Sequence, residues 1–200
     1  MPKILIATNN AGKLKEIETI LAGLDLDLIT PGQLRLNLEV EETGQTYAEN
    51  ALLKGRAFCR ATQLLTLADD SGLEVDALGG LPGLHSARFS PKTGANDADR
   101  RALLLERLQG HPQPWMARFR CLVALVTPGQ EERLVEGICP GVIITEERGN
   151  NGFGYDPIFF LPELSRTMAE LGMQEKNQLS HRARALQAAI PYLVELLGLR

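Results

Sequence analysis

Apolar residues near the start of the chain follow two different spacings, and each spacing predicts one type of element. The run KILIAT at 3–8 is short and almost wholly apolar, which is typical of a buried strand. The segment 13–24 repeats apolar residues at helical spacing and closes near Gly23. The run DLDLIT at 25–30 predicts a second strand, so the chain opens with strand, helix and strand.

The middle of the chain continues this alternation. Thr46 followed by Glu49 matches a capping box and predicts a helix that runs to about Arg60. The apolar run LLTLA at 64–68 predicts the next strand, which we expect to end at the two aspartates that follow it. Glycine and proline are frequent in 79–95, so this segment is predicted to be a long ordered or functional loop.

Two strands joined by a tight turn are predicted in the second half. A helix with an Asn or Asp cap is expected first, over 96–108. The segments 118–127 and 132–140 are apolar and are separated by a connection that contains Pro128 and Gly129. These two residues fit the central positions of a type II turn, so we expect a hairpin.

The last part of the chain predicts one strand and two helices. PIFF at 157–160 predicts a short strand, and a short helix is expected near 165–171. The last helix should begin at Ser180, carry its apolar residues on one stripe, and bend at Pro191. Alternating helices and strands with one hairpin predict an α/β fold with a mixed sheet, in a single domain over 1–200.

Composition and charge exclude several classes of protein. The chain has 200 residues, 44% of them hydrophobic, which is enough for a sizeable core. Its formal net charge of −4 argues against general nucleic-acid binding, which requires a basic stripe. Its apolar runs are too short for a signal peptide or a membrane helix, and its three cysteines lack metal-ligand or disulfide spacing. We therefore expect a soluble cytoplasmic protein that contacts neither membrane nor nucleic acid directly.

Asp69 and Asp70 are the first candidates for chemistry. Two adjacent carboxylates repel each other unless a cation or hydrogen bonds offset their charge. Together with Glu41 or Glu42 they offer the hard oxygen ligands that suit Mg²⁺. A solvated acidic loop is the plainer interpretation, but sites in α/β sheets lie off the carboxyl ends of strands. The sequence leaves open which aspartate is the base and whether Glu42 also binds metal.

The segment ATNNAGK at 7–13 is a candidate phosphate site. A predicted strand, an Asn/Gly loop and a helix start occur there in that order. Backbone N–H groups at a helix start bind phosphate, and Lys13 adds a positive charge. The segment is not a P-loop, because GxxxxGK[ST] is absent, and an Asn-capped helix without a ligand explains it equally well.

Two further segments point to a ligand that carries an aromatic base. His181 and Arg182 stand at the start of the last predicted helix, where positive charge is disfavoured. A ligand with hydrogen-bond acceptors would compensate for this, so we expect the fold to survive the removal of Arg182. In 151–157, NGFGYDP, two glycines flank Phe153 and Tyr155 follows. Such a loop allows close approach of the backbone and offers an aromatic face for stacking.

Five ordered segments together resemble the inosine/xanthosine triphosphate pyrophosphatase family, the house-cleaning enzymes that remove deaminated purine nucleotides. The segments are TNNAGK, EETGQTYAENALLKGRA, ADDSGLEVDALGGLPGLHSAR, GFGYDPIF and SHRARAL. They span residues 8–186, and five motifs in order are far more specific than any one of them. Residues 89–116 carry no recognisable motif.

The resemblance implies a two-lobed α/β fold, with an elongated mixed β-sheet flanked by helices, a nucleotide-binding groove between the lobes, and a homodimer. It implies Mg²⁺-dependent hydrolysis of ITP, dITP and XTP to the monophosphate and pyrophosphate. Asp70 matches the catalytic proton acceptor, Glu41 and Asp70 match the metal ligands, and Ser71 matches a substrate contact. The residues that match the phosphate-binding segment are Thr8, Asn9, Asn10, Ala11, Gly12 and Lys13. Those that match the purine-binding residues are Phe153, Gly154, Tyr155, Asp156, Lys176, His181 and Arg182.

Donors on His181 and Arg182 would select a purine with an oxygen at position 6, since adenine's amino group there cannot accept a hydrogen bond. How guanine would be excluded does not follow from the residues. One rival interpretation is a phosphatase with an aspartyl-phosphate intermediate, which would release orthophosphate. Another is a nucleotide sensor without turnover, which the intact carboxylates and Lys13 count against.

Overall fold

Seven strands form one mixed sheet in the computed structural model, which describes residues 1–199. Their order is β2-β1-β3-β4-β5-β6-β7. The strands are Lys3–Ile6 (β1), Asp27–Ile29 (β2), Leu65–Val75 (β3), Trp115–Val126 (β4), Glu132–Ile143 (β5), Phe159–Leu161 (β6) and Arg166–Thr167 (β7). The α-helices are Ala11–Leu21 (α1), Tyr47–Thr62 (α2), Asp97–Leu108 (α3), Met173–Leu179 (α4) and His181–Leu197 (α5). β1 pairs in parallel with β2 and β3, whereas β6 pairs antiparallel with β5 and β7, which confirms the predicted α/β class.

The chain folds into two compact units. The first unit consists of residues 1–70, 121–137 and the chain from His181 onward, and the second consists of residues 71–120 and 138–180. The strands β3, β4 and β5 each contribute residues to both units.

The core of the first unit lies on both faces of β1. Ile4 and Ile6 belong to one apolar cluster, which also contains Leu186 of α5. Leu5 points to the opposite face and belongs to a second cluster with Phe58 of α2. Successive side chains of a strand alternate between its faces, so a strand covered on both faces reads as a continuous apolar run. This explains why KILIAT carries no polar alternation.

The core of the second unit forms between β3, α3 and the strands that follow. Leu73 and Val75 of β3 are fully buried in one cluster with Leu104 of α3. The rings of Phe119 and Phe159 lie with their centroids 4.4 Å apart in the same cluster. Residues 89–116, which carry no motif, therefore supply part of this core.

β3 is longer than predicted, and the expectation that it ends before Asp69 was wrong. The strand runs over Leu65–Val75 and carries Asp69 and Asp70 in its middle. Its parallel neighbour β1 ends at Ile6, which lies opposite Leu67. The two aspartates therefore lie just past the carboxyl end of β1, although β3 itself continues.

The connection between β4 and β5 is a tight turn, as predicted, but not of type II. Gln130 N donates a hydrogen bond to Thr127 O over 2.9 Å, which places Pro128 and Gly129 at the centre of the turn. A type II turn needs positive φ at Gly129, whereas the positive φ of 64° falls on Gln130. A left-handed residue directly after a turn is a common arrangement in three-residue hairpin loops.

The helix predicted near 165–171 does not form. Arg166–Thr167 is β7, and Met168–Glu170 makes a single 3₁₀ turn. A capping box within this segment closes only that one turn. The next helix, Met173–Leu179, begins after Gly172.

The starts of α2 and α3 agree with the sequence. Thr46 Oγ1 accepts from Glu49 N over 3.1 Å, although the Glu49 carboxylate accepts from Gln45 N and not from the cap residue. Asn96 and Asp99 form a complete capping box at the start of α3.

α5 begins at His181, directly after Ser180, and continues past Pro191. Within residues 1–199, the structure contains no helix with the length and apolarity needed to cross a membrane.

Candidate active site

The segment between β1 and α1 forms a capped helix start. Asn10 is the cap of α1, and its Oδ1 accepts from Lys13 N over 3.1 Å. Thr8 Oγ1 accepts from Asn10 N over 3.2 Å. The Asn-capped helix is thus confirmed, and residues 8–12 are exposed or half-buried. Phosphate binding by this segment stays a prediction.

A buried ion network joins α1, β3 and α5. The Nζ of Lys13 lies 2.9 Å from Oδ2 of Asp69, and Nε of Arg182 lies 3.2 Å from the same oxygen. The guanidinium of Arg182 also pairs with Glu16 of α1. Asp69 and Arg182 are both 1% exposed, so two cations and two carboxylates compensate one another away from water.

Glu16 was missed in the sequence. It lies three residues after Lys13 on α1, a spacing that places both on one helix face. The structure also changes the explanation for Arg182 at a helix start. The carboxylates of Glu16 and Asp69 offset its charge, so no ligand is needed to explain its position.

Asp69 is held as a carboxylate. Burial opposes its ionisation most strongly, but Lys13 and Arg182 outweigh this, so the pKa of Asp69 lies well below its usual range. Its Oδ1 is buried and has no hydrogen-bond partner among the residues that the structure describes. Asp69 is therefore suited to organise cations and poorly suited to take up a proton.

Asp70 has a different environment. It is 7% exposed, and its Oδ2 accepts from Nδ2 of Asn50 over 3.1 Å. Burial raises the pKa of Asp70, against the opposing charges of Lys13 and Lys54, and the result lies above the usual value. The two adjacent aspartates therefore differ in basicity, and Asp70 is the better proton acceptor.

Lys54 of α2 is a second residue that sequence reasoning missed. Its Nζ lies 2.8 Å from Oε1 of Glu42 and donates to the backbone oxygen of Asp69 over 2.9 Å. Burial lowers the pKa of Lys54, but the carboxylates of Asp69 and Glu42 raise it above its usual value. Asn50 and Lys54 are one helical turn apart, and this spacing could have indicated that both side chains face the same site.

The predicted Mg²⁺ site would use the carboxylates of Asp69, Asp70 and Glu41 or Glu42. Among residues 1–199, no three His, Cys, Asp or Glu side chains form a ready cluster for a metal ion. Mg²⁺ commonly uses one or two carboxylates and takes its other ligands from phosphates and water. Asp70 has a raised pKa that a cation would offset, and the Oδ1 of Asp69 lacks a donor. Glu41 is exposed, whereas Glu42 is half-buried beside Lys54.

The predicted purine-binding loop is held by a buried ion pair in the second unit. The Nζ of Lys176 lies 2.5 Å from Oδ2 of Asp156 and 5.0 Å from the centroid of the Phe153 ring. Asp156 Oδ2 also accepts from Phe153 N over 3.0 Å. A Cβ at Gly152 would lie 2.0 Å from this carboxylate, so only glycine fits there. The structure therefore brings Phe153, Asp156 and Lys176 together.

Phe153 and Tyr155 have different surroundings. Tyr155 is 4% exposed within the core of the second unit, and its hydroxyl donates to Ser86 O over 2.9 Å. Burial raises the pKa of this phenol above its usual value. Phe153 is only half-buried, so it presents more ring surface than Tyr155.

The two units divide the predicted site residues between them. The first unit holds 8–13, Glu41, Asp70, His181 and Arg182, and His181 is 5% exposed. The second unit holds Ser71, Phe153, Gly154, Tyr155, Asp156 and Lys176, and Ser71 is half-buried on β3 directly after Asp70.

Known proteins resemble this chain over almost its whole length. A model described as the Ham1 family matches residues 4–192. A dITP/XTP pyrophosphatase of Desulforamulus reducens is 47% identical, with 97% of this chain and 96% of that protein covered. A dITP/XTP pyrophosphatase of Geobacillus kaustophilus is 46% identical, with 99% and 97% covered. The solved structure of a HAM1 protein from Coxiella burnetii superposes with a TM-score of 0.88 at 40% identity, covering 98% of this chain and 100% of that one.

Proposed function

The chain belongs to the Ham1 family, and from this premise we propose that it hydrolyses ITP, dITP and XTP to the monophosphate and pyrophosphate with the help of Mg²⁺. The relatives named dITP/XTP pyrophosphatase support a hydrolase of nucleoside triphosphates. One observation in this chain carries the proposal: Lys13 and Lys54 flank two adjacent buried aspartates of unequal basicity. Removal of deaminated purine triphosphates would keep these bases out of DNA and RNA.

Lys13, Lys54 and the exposed or half-buried segment 8–12 would bind the triphosphate. The two ammonium groups already converge on Asp69, through its side chain and its backbone oxygen. Asp69 therefore holds both cations in place before an anion arrives. The backbone N–H groups at the start of α1 add donors of the kind that bind phosphate at helix termini.

Asp70 would accept the proton of the attacking water. Water adds to one phosphorus atom of the anhydride that joins the α- and β-phosphoryl groups. Its proton passes to a carboxylate oxygen of Asp70, and the bridging oxygen leaves with the other phosphoryl group. Without a metal cation beside it, Asp70 has a raised pKa and is a stronger base than an ordinary carboxylate. Asp69 is the weaker choice, because Lys13 and Arg182 stabilise its ionised form.

Asp70 with Glu41 or Glu42 would hold Mg²⁺. A bound Mg²⁺ would neutralise negative charge on the phosphoryl group that water attacks. The family motif assigns Glu41, which is exposed, and Glu42 is engaged by Lys54 over 2.8 Å. Glu41 is therefore the carboxylate that remains available to a metal without disturbing Lys54.

The purine would be recognised by Phe153 and by polar groups that the motifs assign. Phe153 offers a half-buried ring, which the Asp156–Lys176 ion pair holds in place. The motifs assign His181 and Arg182 to the oxygen at position 6 of the purine, which adenine lacks. Arg182 would have to reach this oxygen from its buried ion pairs with Asp69 and Glu16. The groove between lobes, the homodimer and the cytoplasmic location stay predictions.

Product analysis on a nucleotide panel tests the proposal. ITP, dITP, XTP, ATP and GTP are incubated with the protein at fixed Mg²⁺, and the products are separated by anion-exchange chromatography. We expect monophosphate and pyrophosphate, with deaminated purines preferred. Diphosphate and orthophosphate would instead indicate the phosphatase, and binding without turnover would indicate the sensor. Asp70→Asn serves as the inactive control.

A further inference from the structure

Helix α3 holds the backbone of Gly154 at both its amide and its carbonyl. Gly154 N donates to Oδ2 of Asp97 over 2.7 Å, and Nη1 of Arg101 donates to Gly154 O over 2.8 Å. Asp97 and Arg101 are four residues apart on α3 and so lie on one helix face. All three residues belong to the second unit.

Arg101 also closes the loop at its other end. Its Nε and Nη2 lie 2.8 and 2.9 Å from the two carboxylate oxygens of Glu147, which is a bidentate ion pair. The Arg101 side chain is 12% exposed. One guanidinium therefore ties Glu147 to Gly154 and fixes the span of the segment between them.

Asp97 of α3 holds the peptide group between Phe153 and Gly154, and this group determines where Phe153 lies. Gly154 N–H belongs to the peptide bond that follows Phe153, so its orientation fixes the Phe153 carbonyl, which accepts from Asp156 N over 3.2 Å. Gly154 has a φ of +62°, and an added Cβ would meet no atom within 4 Å. Glycine is therefore favoured here by the left-handed backbone conformation and not by a lack of space for a side chain. Such a backbone depends on neighbouring groups to select one conformation.

We propose that Asp97 and Arg101 are positioning residues that preorganise the loop of Phe153 for the purine. Neither side chain touches the nucleotide in this proposal. They act by holding the amide and the carbonyl of Gly154, so that less ordering is needed when the base binds. The inference rests on the proposed function, because that function assigns this loop to the purine. It gives a role to α3, which lies in the part of the chain without a motif.

Variants of α3 separate positioning from general stability. Asp97→Ala removes the acceptor for Gly154 N, whereas Asp97→Asn keeps an acceptor oxygen but removes the charge that pairs with Arg100 over 2.5 Å. Arg101→Lys keeps the charge but lacks the planar fork with which Arg101 binds both oxygens of Glu147 and Gly154 O. Asp99→Ala is the matched control, because it breaks the capping box of the same helix without contacting Gly154.

The kinetic measurement is kcat and KM for dITP, which shows whether a variant loses activity through weaker binding or through slower turnover. In Asp97→Ala we expect KM to rise about tenfold with kcat nearly unchanged, as for the loss of one hydrogen bond to a charged group. Asp97→Asn should recover most of the affinity, and Arg101→Lys should be intermediate. Asp99→Ala should lower the melting temperature without raising KM. Equal changes of KM in Asp97→Ala and Asp99→Ala would reduce α3 to a structural role and overturn the proposal.

Amide hydrogen exchange tests the contact without any substrate. In the ligand-free protein we expect the Gly154 amide to be protected, and to exchange at least about tenfold faster in Asp97→Ala but not in Asp99→Ala. An unprotected Gly154 amide in the wild type would overturn the inference even if dITP is hydrolysed. Failure to hydrolyse both dITP and XTP would instead overturn the proposed function, while the exchange data still decide whether α3 holds this peptide.

Discussion

The ammonium group of Lys13 lies 2.9 Å from Oδ2 of Asp69, and the two side chains are only 15% and 1% exposed. This pair joins the start of α1 to the middle of β3. It allows one of two neighbouring carboxylates to remain charged in the protein interior. Asp70, which is not held in the same way, is left with a raised pKa. The proposed division of roles between the two aspartates rests on this difference.

Asp70→Asn should remove most of the hydrolytic activity while leaving the fold intact. Loss of a general base typically lowers the rate by about 10²–10⁴-fold. The amide oxygen of the variant can still accept from Asn50 Nδ2, so the local hydrogen bond survives. The measurement is kcat for dITP with circular dichroism as the folding control. Turnover close to that of the wild type would contradict the assignment of Asp70.

Asp70→Asn should also change how stability depends on pH. A carboxyl whose pKa is raised by folding destabilises the native state above its folded pKa. This penalty shrinks as the pH falls and disappears below the unfolded pKa of about 3.9. In metal-free buffer the variant should therefore unfold at higher urea than the wild type at pH 7, and the difference should vanish towards pH 4.

The same urea measurement tests for the metal. If Asp70 binds Mg²⁺, the added ion should stabilise the wild type more than Asp70→Asn, because binding to the native state shifts the unfolding equilibrium. For the pH dependence, a stability advantage of Asp70→Asn in urea that grows as the pH falls would contradict a raised pKa of Asp70. Equal stabilisation of both proteins would argue against Asp70 as a metal ligand.

Lys13→Ala should weaken binding of every triphosphate to a similar extent. Phosphate groups carry no base identity, so KM for ITP and for XTP should rise together. Lys15→Ala is the matched control, since Lys15 lies on the same helix and is exposed. An altered preference between ITP and XTP, with unchanged affinity for the phosphates, would contradict the assignment of Lys13 to the triphosphate.

Arg182→Ala should destabilise the fold, which reverses the expectation from the sequence. Removing the guanidinium leaves the buried carboxylates of Glu16 and Asp69 without their shared cation. Breaking a buried pair in this way costs about 3–5 kcal/mol in the free energy of unfolding.

A double-mutant cycle with Glu16→Gln measures how far these residues are coupled. If Arg182 and Glu16 act as a pair, the double variant should lose less stability than the sum of the single variants. Additive losses would show that they are independent.

The same proteins test base selection. If Arg182 acts at the purine oxygen, the ITP/ATP ratio in kcat/KM should fall by about one to two orders of magnitude in Arg182→Ala.

The elements that the sequence predicted correctly are those whose signals are local. The apolar run of β1 and the capping residues Thr46 and Asn96 lie within a few positions of the backbone that they specify. The order of the family motifs likewise requires only the chain itself. The element that was wrongly predicted, near 165–171, contains a true local signal, a capping box, that closes a single turn.

The partners of the site residues were decided by the tertiary structure. Glu16 and Arg182 are 166 positions apart, and Arg101 and Glu147 are 46 positions apart, so neither pair leaves a trace in local spacing. Sequence therefore identified which residue types are present for chemistry, but not which charges meet.

Asp69 and Asp70 show this limit most directly. As neighbours of the same residue type, they are indistinguishable to any argument from composition or pattern, and the sequence left the choice of base open. Folding places two cations around the side chain of Asp69 and an amide beside Asp70. Because basicity depends on burial and on nearby charge, only the folded chain separates the pKa of Asp69 from that of Asp70.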